Sequence, residues 1–264
     1  MKLTLEAFLE RLAFEAGERI LLIDESRAMY AGDAAGLTAA AANAPTSVAI
    51  VPLVGSQYPR SLSDFAQRID AAAANSDVGH IVIPVDSPGG TYTGTPEAAA
   101  AVARAQAIKP VTAHIGGLGA SAAYWVPSQA GQVHISPSGE AGSIGVLAIH
   151  TDLSRMMREG GIDHTIIRSV PHKAEVNMFE PLTEEARAHL EGQVADAHDE
   201  FVRAVAAGRR TSLSRVNSDF GQGRTMSAQK AVAAGMADKI STLADTIAGA
   251  RRRMTATRRS AAFL

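Results

Sequence analysis

A continuous apolar run at residues 80–86 constrains the fold more than any other stretch of the chain. It reads His80-Ile81-Val82-Ile83-Pro84-Val85-Asp86 and lacks the polar–apolar alternation of a strand that has one solvent-facing side. Strands of this character are buried on both faces and belong to parallel sheets that helices cover. The run therefore predicts a parallel sheet in an α/β fold.

Strand and helix signals alternate along the chain from Val48 onward. Apolar runs predict further strands at residues 48–54, 110–115, 132–135 and 162–168. Helical spacing of apolar residues, or alanine-rich composition, predicts helices at residues 62–72, 95–107, 152–159, 183–208, 212–220 and 227–235. Thr183 is a candidate N-cap of the longest helix, whose apolar stripe is typical of core or subunit packing. Such alternation implies right-handed β-α-β units and a mainly parallel sheet.

Composition narrows the classes of function. The chain of 264 residues has 25 basic and 27 acidic side chains and a net charge of -2, so no general attraction to nucleic acid or an anionic membrane is expected. The absence of cysteine excludes disulfides, thiolate metal sites and a cysteine nucleophile. Eight histidines are scattered without an H-E-x-x-H motif, and no metal is expected.

Neither a signal peptide nor a transmembrane span is expected. Lys2, Glu6 and Glu10 interrupt the first ten residues, where a signal peptide would need an apolar core. The uncharged stretch at residues 34–59 contains prolines, an asparagine and many small residues, which favour a loop and one strand over a membrane span. We therefore expect a soluble protein made in a cytoplasm.

A serine at a predicted strand-to-helix turn is the first candidate for chemistry. Gly116-Gly117-Leu118-Gly119-Ala120-Ser121 follows the strand at 110–115, and an alanine-rich helical segment continues to Trp125. A side chain at such a turn is expected to be exposed and close to a helix N-terminus, whose free N–H groups favour negative charge. A nucleophilic serine needs that place because the tetrahedral intermediate that it forms is an oxyanion.

Two further segments carry polar groups that suit the same chemistry. Asp86-Ser87-Pro88-Gly89-Gly90 ends the buried strand, and a Pro-Gly-Gly turn leaves backbone N–H groups uncovered, so an oxygen can approach closely. Lys173 follows the strand predicted at 162–168. A lysine is usually an exposed surface residue, and it acts as a general base only in the neutral form that burial favours.

These segments belong to a longer series of motifs. In chain order the series is Asp86-Ser87-Pro88-Gly89-Gly90, Ala120-Ser121-Ala122-Ala123-Tyr124-Trp125, Gly142-Ser143-Ile144-Gly145-Val146, Lys173, Pro181-Leu182-Thr183-Glu184-Glu185-Ala186-Arg187 and Phe201-Val202-Arg203-Ala204-Val205-Ala206. With this order and spacing the chain resembles the serine–lysine signal peptide peptidase family, and within it the prophage capsid-protein proteases that mature phage heads. Near its lysine the family usually has a glycine and an aromatic residue, where this chain has Ser169-Val170-Pro171-His172.

The resemblance implies a fold and a division of the chain. The expected fold is a crotonase/Clp-like β-α-β superhelix with a mainly parallel sheet and a helical C-terminal part. An N-terminal helix and connector arm at residues 1–47 would precede a serine–lysine protease domain at 48–250, and a basic tail would follow at 251–264.

The resemblance also assigns roles to individual residues. Ser121 would be the nucleophile, Lys173 the general base, and Ser143 the serine that hydrogen-bonds the lysine and orients it. The N–H groups of Gly90 and Ala122 would form the oxyanion hole, and no cofactor takes part.

The substrate would lie extended beside a strand edge near residues 89–93, by strand addition. Gly89, Thr91 and Leu118 are the candidate substrate-binding residues.

The implied activity is an endopeptidase that cleaves phage scaffold or capsid segments in a bacterial cytoplasm or a prohead. The expected partners are a protein substrate and further copies of the chain in a ring, in which serine and lysine can come from neighbouring subunits. The helix at 183–208 and the N-terminal arm are candidate contacts. Two alternatives stay open, which are a bacterial hydrolase of signal peptides or cytoplasmic peptides and a non-catalytic capsid or scaffold component.

Two other site chemistries compete for the same serine. Gly117-Leu118-Gly119-Ala120-Ser121-Ala122 fits the G-x-G-x-x-G/A pattern of dinucleotide-binding proteins, with Glu140 near the expected acidic position. Ser121, Asp163 and His189 occur in the chain order of a Ser-Asp-His hydrolase, although the last glycine of G-x-S-x-G is missing.

Overall fold

The computed structural model describes residues 21–23 and 47–261. The chain divides into two compact units. We call them the sheet unit, which comprises Leu22–Gly145 and Asp199–Leu264, and the middle unit, which comprises Met1–Leu21 and Val146–His198. Most of the expected N-terminal arm lies outside the described residues, and the boundaries expected after residues 47 and 250 stay predictions.

The described residues form ten strands and eight helices. The strands are β1 (Leu21–Ile23), β2 (Ser47–Ile50), β3 (Leu53–Val54), β4 (Val78–Ser87), β5 (Gly89–Thr91), β6 (Val111–Ala120), β7 (Gln132–Ile135), β8 (Glu140–Gly142), β9 (Thr225–Ser227) and β10 (Lys239–Ile240). The helices are α1 (Pro59–Ala74), α2 (Thr95–Ile108), α3 (Ala122–Trp125), α4 (Ser154–Glu159), α5 (Glu184–Gly208), α6 (Leu213–Asp219), α7 (Ala228–Ala234) and α8 (Leu243–Ala261). A 3-10 turn, Pro127–Gln129, follows α3.

Eight of the strands form one sheet in the sheet unit. Its main path runs β10-β7-β6-β4-β2, with β3 beside β4, β8 beside β6, and β9 beside β8. Every pairing is parallel except that of β8 with β9. The prediction of a mainly parallel sheet is therefore confirmed. Strands β1 and β5 form a separate two-stranded pair.

The central strand β4 is buried on both faces, as its apolar run predicts. Val82 packs with Val48 and with Ala250 of helix α8 in one buried cluster. Ile81 and Ile83 alternate with Val82 and so face the other side of the sheet, where they are also fully buried. Helices thus exclude water from the strand that leads to the Pro-Gly-Gly turn.

Several local predictions are confirmed. The strand predicted at 132–135 is β7, and the helix predicted at 95–107 is α2 with one more residue. Thr183 caps α5, since the Ala186 N–H donates to Thr183 Oγ1 at 3.2 Å. Residues 251–261 of the expected basic tail continue helix α8. Among the described helices, none combines the length and apolar content that a membrane crossing requires.

Two strand predictions are wrong. Residues 162–168 are irregular, and Ile167 is 93% exposed. A segment rich in isoleucine makes a strand only where a neighbouring strand supplies hydrogen bonds, and in the described part of the chain none pairs with this segment. The strand predicted at 48–54 is two short strands that Pro52 separates, because proline has no N–H to donate to a ladder.

Candidate functional site

The candidate residues of the sheet unit meet where three parallel strands end. Strands β4, β6 and β8 run side by side, with Ser87 opposite Gly119 and Ala120 opposite Gly142. The Pro-Gly-Gly turn, Ser121 and Ser143 therefore follow the carboxyl ends of three neighbouring strands. Carboxyl ends of parallel strands are where α/β folds bind ligands.

The backbone of Ser121 has a conformation that residues other than glycine rarely adopt. Its φ is 57° and its ψ is −125°. The Ser121 N–H donates to the Gly142 carbonyl at 2.8 Å, and its own carbonyl accepts from the N–H groups of Tyr124 and Trp125 at 2.8 and 2.9 Å. A backbone of this kind costs about 1–3 kcal/mol and persists only where its surroundings enforce it, as at active sites.

The Ser121 hydroxyl is buried and unpaired. The residue is 1% exposed, so the prediction of an exposed serine is wrong, because helix α3 packs against β5 beside it. Among residues 21–23 and 47–261, no group hydrogen-bonds Ser121 Oγ. Ser128 is equally buried, but its hydroxyl donates to the Trp125 carbonyl at 2.6 Å. A buried polar group without a partner lowers stability, so the Ser121 hydroxyl is a candidate for a role other than folding.

Aromatic side chains fix the short helix that follows Ser121. Four residues cannot form a stable helix alone, yet Trp125 stacks on Phe201 with 4.6 Å between ring centroids. The Tyr92 ring is tilted against the Trp125 ring, with 6.1 Å between the ring centroids. The Tyr124 hydroxyl donates to the Met236 carbonyl at 3.0 Å, and burial raises the pKa of Tyr124, which keeps the phenol neutral. These contacts hold helix α3, and with it the turn at Ser121, in place.

The Pro-Gly-Gly turn presents one N–H toward the edge of strand β5 that lies away from Gln57 and pairs with β1. The Gln57 N–H donates to the Gly89 carbonyl at 2.7 Å, and the Thr91 N–H donates to the Gln57 carbonyl at 2.9 Å. Successive peptide groups of a strand point to opposite edges, so the N–H and carbonyl of Gly90 point away from Gln57. Ala122 opens helix α3, where an N–H has no intrahelical acceptor.

A side chain at Gly90 has no room, and this gives a first prediction. A Cβ there would lie 1.7 Å from the Gln57 carbonyl oxygen. We expect Gly90→Ala to displace the turn and to lower the rate of peptide hydrolysis at least about a hundredfold, the usual cost of losing one oxyanion donor. The matched control is Gly116→Ala, whose Cβ would meet nothing closer than the Val85 carbonyl oxygen at 3.7 Å. Equal rates for wild type and Gly90→Ala in a peptide-cleavage assay would contradict this role.

Ser143 and Lys173 lie in different units. Ser143 follows β8, has a φ of 54°, and donates its N–H to the Arg224 carbonyl at 3.0 Å. Lys173 belongs to the middle unit, where its N–H donates to the Val170 carbonyl at 3.2 Å and its carbonyl accepts from Arg168. In the single chain Lys173 is exposed, without the dry surroundings that a neutral lysine needs.

The candidate substrate-binding residues offer backbone groups more than side chains. Thr91 is 2% exposed, and its hydroxyl donates to the Thr93 carbonyl at 3.0 Å. Leu118 is buried in β6, and its N–H donates to Asp86 Oδ1 at 3.0 Å. Gly89 is buried with a φ of 102°, which favours glycine. Strand β5 has Gln57 on one edge and β1 on the other, so addition of an extended substrate strand here stays a prediction.

The geometry gives little support to a dinucleotide-binding site or a Ser-Asp-His hydrolase. Gly117 and Gly119 lie within strand β6, so the G-x-G segment does not form the strand-to-helix turn that cradles a dinucleotide. The Glu140 carboxylate accepts from the Thr225 hydroxyl at 2.7 Å. Asp163 and His189 are both exposed. In the described part of the chain, no group of three or more histidines and carboxylates is arranged to hold a metal ion.

Sequence comparison connects this site to known proteins. The model of the family described as Peptidase family S49 matches residues 103–257, which is more than half of the chain. The chain is 29% identical over 180 residues to the "Capsid assembly protease C" of Escherichia phage lambda and 29% identical over 179 residues to the "Head-tail preconnector protein GP5" of Enterobacteria phage P21. Each alignment covers 68% of this chain, but only 40% and 35% of those relatives.

Bacterial and structural relatives complete the comparison. "Protease 4" of Salmonella typhi is 27% identical over 186 residues, which is 70% of this chain and 30% of that protein. A ClpP1 mutant from Listeria monocytogenes superposes with a TM-score of 0.50 at 14% identity, over 75% of this chain and 94% of that one. The membrane-bound stomatin-specific protease 1510-N gives 0.51 at 10% identity, over 79% and 86%. These likenesses confirm the Clp-like fold that the motifs predict.

Proposed function

The chain belongs to peptidase family S49, and from that premise we propose that it is a serine endopeptidase that uses a Ser121–Lys173 dyad. Ser121 Oγ attacks the carbonyl carbon of the scissile peptide while its proton passes to the neutral Lys173 amine. The tetrahedral oxyanion accepts hydrogen bonds from the N–H groups of Gly90 and Ala122. Lys173 then returns the proton to the leaving amine, and water hydrolyses the acyl-enzyme.

The state of Ser121 is the observation that carries this proposal. Its backbone is strained, and its buried hydroxyl has no hydrogen-bond partner in the described part of the chain. The Gly90 N–H points away from Gln57, and Ser143 directly follows strand β8. The proposed nucleophile, a proposed oxyanion donor and a proposed orienting hydroxyl thus lie just beyond the carboxyl ends of β6, β4 and β8.

We propose that the substrates are scaffold or capsid segments of a phage head. The similarity to a capsid assembly protease and a head-tail preconnector protein supports this role, and the site of action would be a prohead or the bacterial cytoplasm. The chain spans well under half the length of those relatives, so their whole activity is not carried over. Hydrolysis of signal peptides or cytoplasmic peptides is the second candidate, which the comparable similarity to Protease 4 favours.

The middle unit supports the proposal of a homo-oligomer. Of the ten exposed large apolar side chains among the described residues, six lie in this unit: Leu147, Ile149, Met156, Ile162, Ile167 and Val170. Exposed apolar side chains that form a large contiguous patch mark protein–protein or membrane interaction sites. Lys173 follows this segment directly, and we propose that assembly buries its amine beside a Ser121 hydroxyl of the same or a neighbouring subunit.

Paired variants test the dyad. We expect Lys173→Ala to lower the rate of cleavage of an unfolded protein by about a hundredfold to ten-thousandfold, the usual contribution of a general base. His189→Ala, the matched control for a Ser-Asp-His site, should retain the wild-type rate. Full activity of Lys173→Ala in folded protein would contradict the dyad.

Two additions to this assay separate the remaining alternatives. Restored activity in a mixture of Lys173→Ala and Ser121→Ala proteins would show that neighbouring subunits share the dyad, whereas an inactive mixture would assign it to one subunit. Cleavage of a phage scaffold protein assembled with its capsid protein is expected to be faster than cleavage of a synthetic signal peptide. The reverse order would favour the bacterial peptide hydrolase.

A further inference from the structure

We propose that Gln57 is a positioning residue that aims the Gly90 N–H at the oxyanion. The inference rests on the proposed function and adds a residue that the motif series does not contain. Gln57 lies between β3 and α1 and is 2% exposed. It touches the Pro-Gly-Gly turn through both its backbone and its side chain.

The backbone of Gln57 clamps the turn from one side. Its N–H and its carbonyl bond to the carbonyl of Gly89 and the N–H of Thr91, at 2.7 and 2.9 Å. Both bonds occupy the same edge of β5, which turns the Gly90 N–H toward the opposite edge, the one that pairs with β1. The Gln57 carbonyl also fills the space where a Gly90 side chain would stand. The orientation of the donor therefore depends on where Gln57 sits.

The side chain of Gln57 holds that backbone in place. Gln57 Nε2 donates to the Gly55 carbonyl at 2.7 Å, to the Val54 carbonyl at 3.1 Å and to Ser87 Oγ at 3.3 Å. The Ser87 hydroxyl donates to the Gly55 carbonyl at 2.6 Å and accepts from the Gly89 N–H at 3.1 Å. Ser87 is 1% exposed, so the amide and the hydroxyl form one buried network that ends on the turn.

The physical consequence concerns the transition state more than the bound substrate. An oxyanion donor works when it lies 2.7–3.1 Å from the position that the charged oxygen will occupy. Without the Gln57 amide, residues 55–57 keep only the backbone bonds of an irregular segment, and the turn loses its fixed distance to Ser121. Ground-state contacts along β5 are less sensitive to that distance, so kcat should fall while KM changes little.

The test compares Gln57→Met with Gln106→Met. Methionine keeps the shape of glutamine and removes its hydrogen bonds. Gln106 is the matched control because its Oε1 also accepts two backbone N–H groups, from Val111 at 2.9 Å and Gly131 at 2.8 Å, at the start of β6 and away from Ser121. We expect kcat of Gln57→Met to fall roughly tenfold to hundredfold with KM within about threefold, and Gln106→Met to keep the wild-type kcat at a lowered melting temperature.

The affinity for a peptide aldehyde distinguishes a positioning role from a merely structural one, because loss of stability alone would not weaken aldehyde binding selectively. Ser121 Oγ adds to the aldehyde carbonyl, and the resulting hemiacetal oxygen lies where the oxyanion forms. We expect Gln57→Met to bind the aldehyde more weakly by the factor lost in kcat, while it binds the corresponding peptide alcohol, which lacks the carbonyl, as tightly as wild type does. Ser87→Ala, which removes the other half of the network, should show the same selective loss and serves if Gln57→Met fails to fold.

The outcomes separate the two proposals. A wild-type protein that neither cleaves peptides nor prefers the aldehyde over the alcohol would overturn the proposed function itself. An active wild type, combined with a Gln57→Met variant that retains kcat and aldehyde affinity, would overturn only the positioning role. Equal losses of kcat in Gln57→Met and Gln106→Met would also overturn it, because both variants would then act through general stability.

Discussion

Replacing Ser121 by alanine is expected to lower the rate of peptide hydrolysis by at least about a thousandfold. Loss of the nucleophile removes the covalent step, and only binding and oxyanion stabilisation remain to accelerate the reaction. Stability should not fall, because the hydroxyl has no hydrogen bond to lose in the described structure. The measurement is the single-turnover rate on a peptide or an unfolded protein, together with a thermal melt of each variant.

Ser128→Ala is the matched control for Ser121→Ala. Ser128 is buried near the same short helix, but its hydroxyl donates to the Trp125 carbonyl. We expect this variant to keep most of its activity and to lose about 1 kcal/mol of stability, the usual value of one hydrogen bond. A fluorophosphonate should label Ser121 in wild type and nothing in Ser121→Ala. An unlabelled, inert wild-type protein would instead favour a non-catalytic capsid or scaffold component.

Acid is expected to destabilise the sheet unit through a cluster of buried histidines beneath helix α8. His114 and His134 lie side by side on β6 and β7, and each places its Nδ1 near the Thr246 hydroxyl of α8, at 3.1 and 3.0 Å. His80 on β4 hydrogen-bonds Thr112 at 2.9 Å.

Burial is the main reason that these imidazoles resist protonation. It lowers the pKa of His80 and of His114 from 6.5 to about 4, and it lowers the pKa of His134 as well. Nearby positive charge adds to the effect, from Arg253 at His80 and His134 and from Lys239 at His134. The Asp238 carboxylate opposes it at His134.

The sign of the pH effect follows from these shifts. An imidazole whose pKa is lower in the folded chain stabilises it fully above pH 6.5 and loses that contribution as the pH falls toward about 4. Protonation of His80 and of His114 should each lower the free energy of unfolding by on the order of 3 kcal/mol over this pH range. We expect the free energy of unfolding in urea to fall steeply between pH 7 and pH 4.

One histidine variant checks the cause of the acid effect. His80→Leu keeps the site apolar and removes one titrating group, so its stability should depend less on pH than that of wild type. His189→Ala, at an exposed position, should leave the pH dependence unchanged. A free energy of unfolding that stays flat from pH 7 to pH 4, or an unchanged slope in His80→Leu, would refute the explanation.

The sequence by itself determined those features that depend on local pattern. The apolar run at β4 predicted a strand buried on both faces, because a half-exposed strand would alternate polar with apolar residues. The series of motifs predicted the Clp-like fold, and Thr183 predicted the start of α5, since a cap acts on N–H groups within three residues.

Only the tertiary structure decided which segments find partners and which side chains lose water. The apolar residues at 162–168 have a strand-like pattern, but in the described part of the chain no neighbouring strand completes the hydrogen bonds. Ser121 is buried because α3 packs beside β5. Gln57 meets Ser87 across thirty residues of sequence, and His114 meets Thr246 across 132. Such contacts form when segments that are distant in sequence fold onto one sheet. A local pattern of residues does not indicate which distant segments will meet.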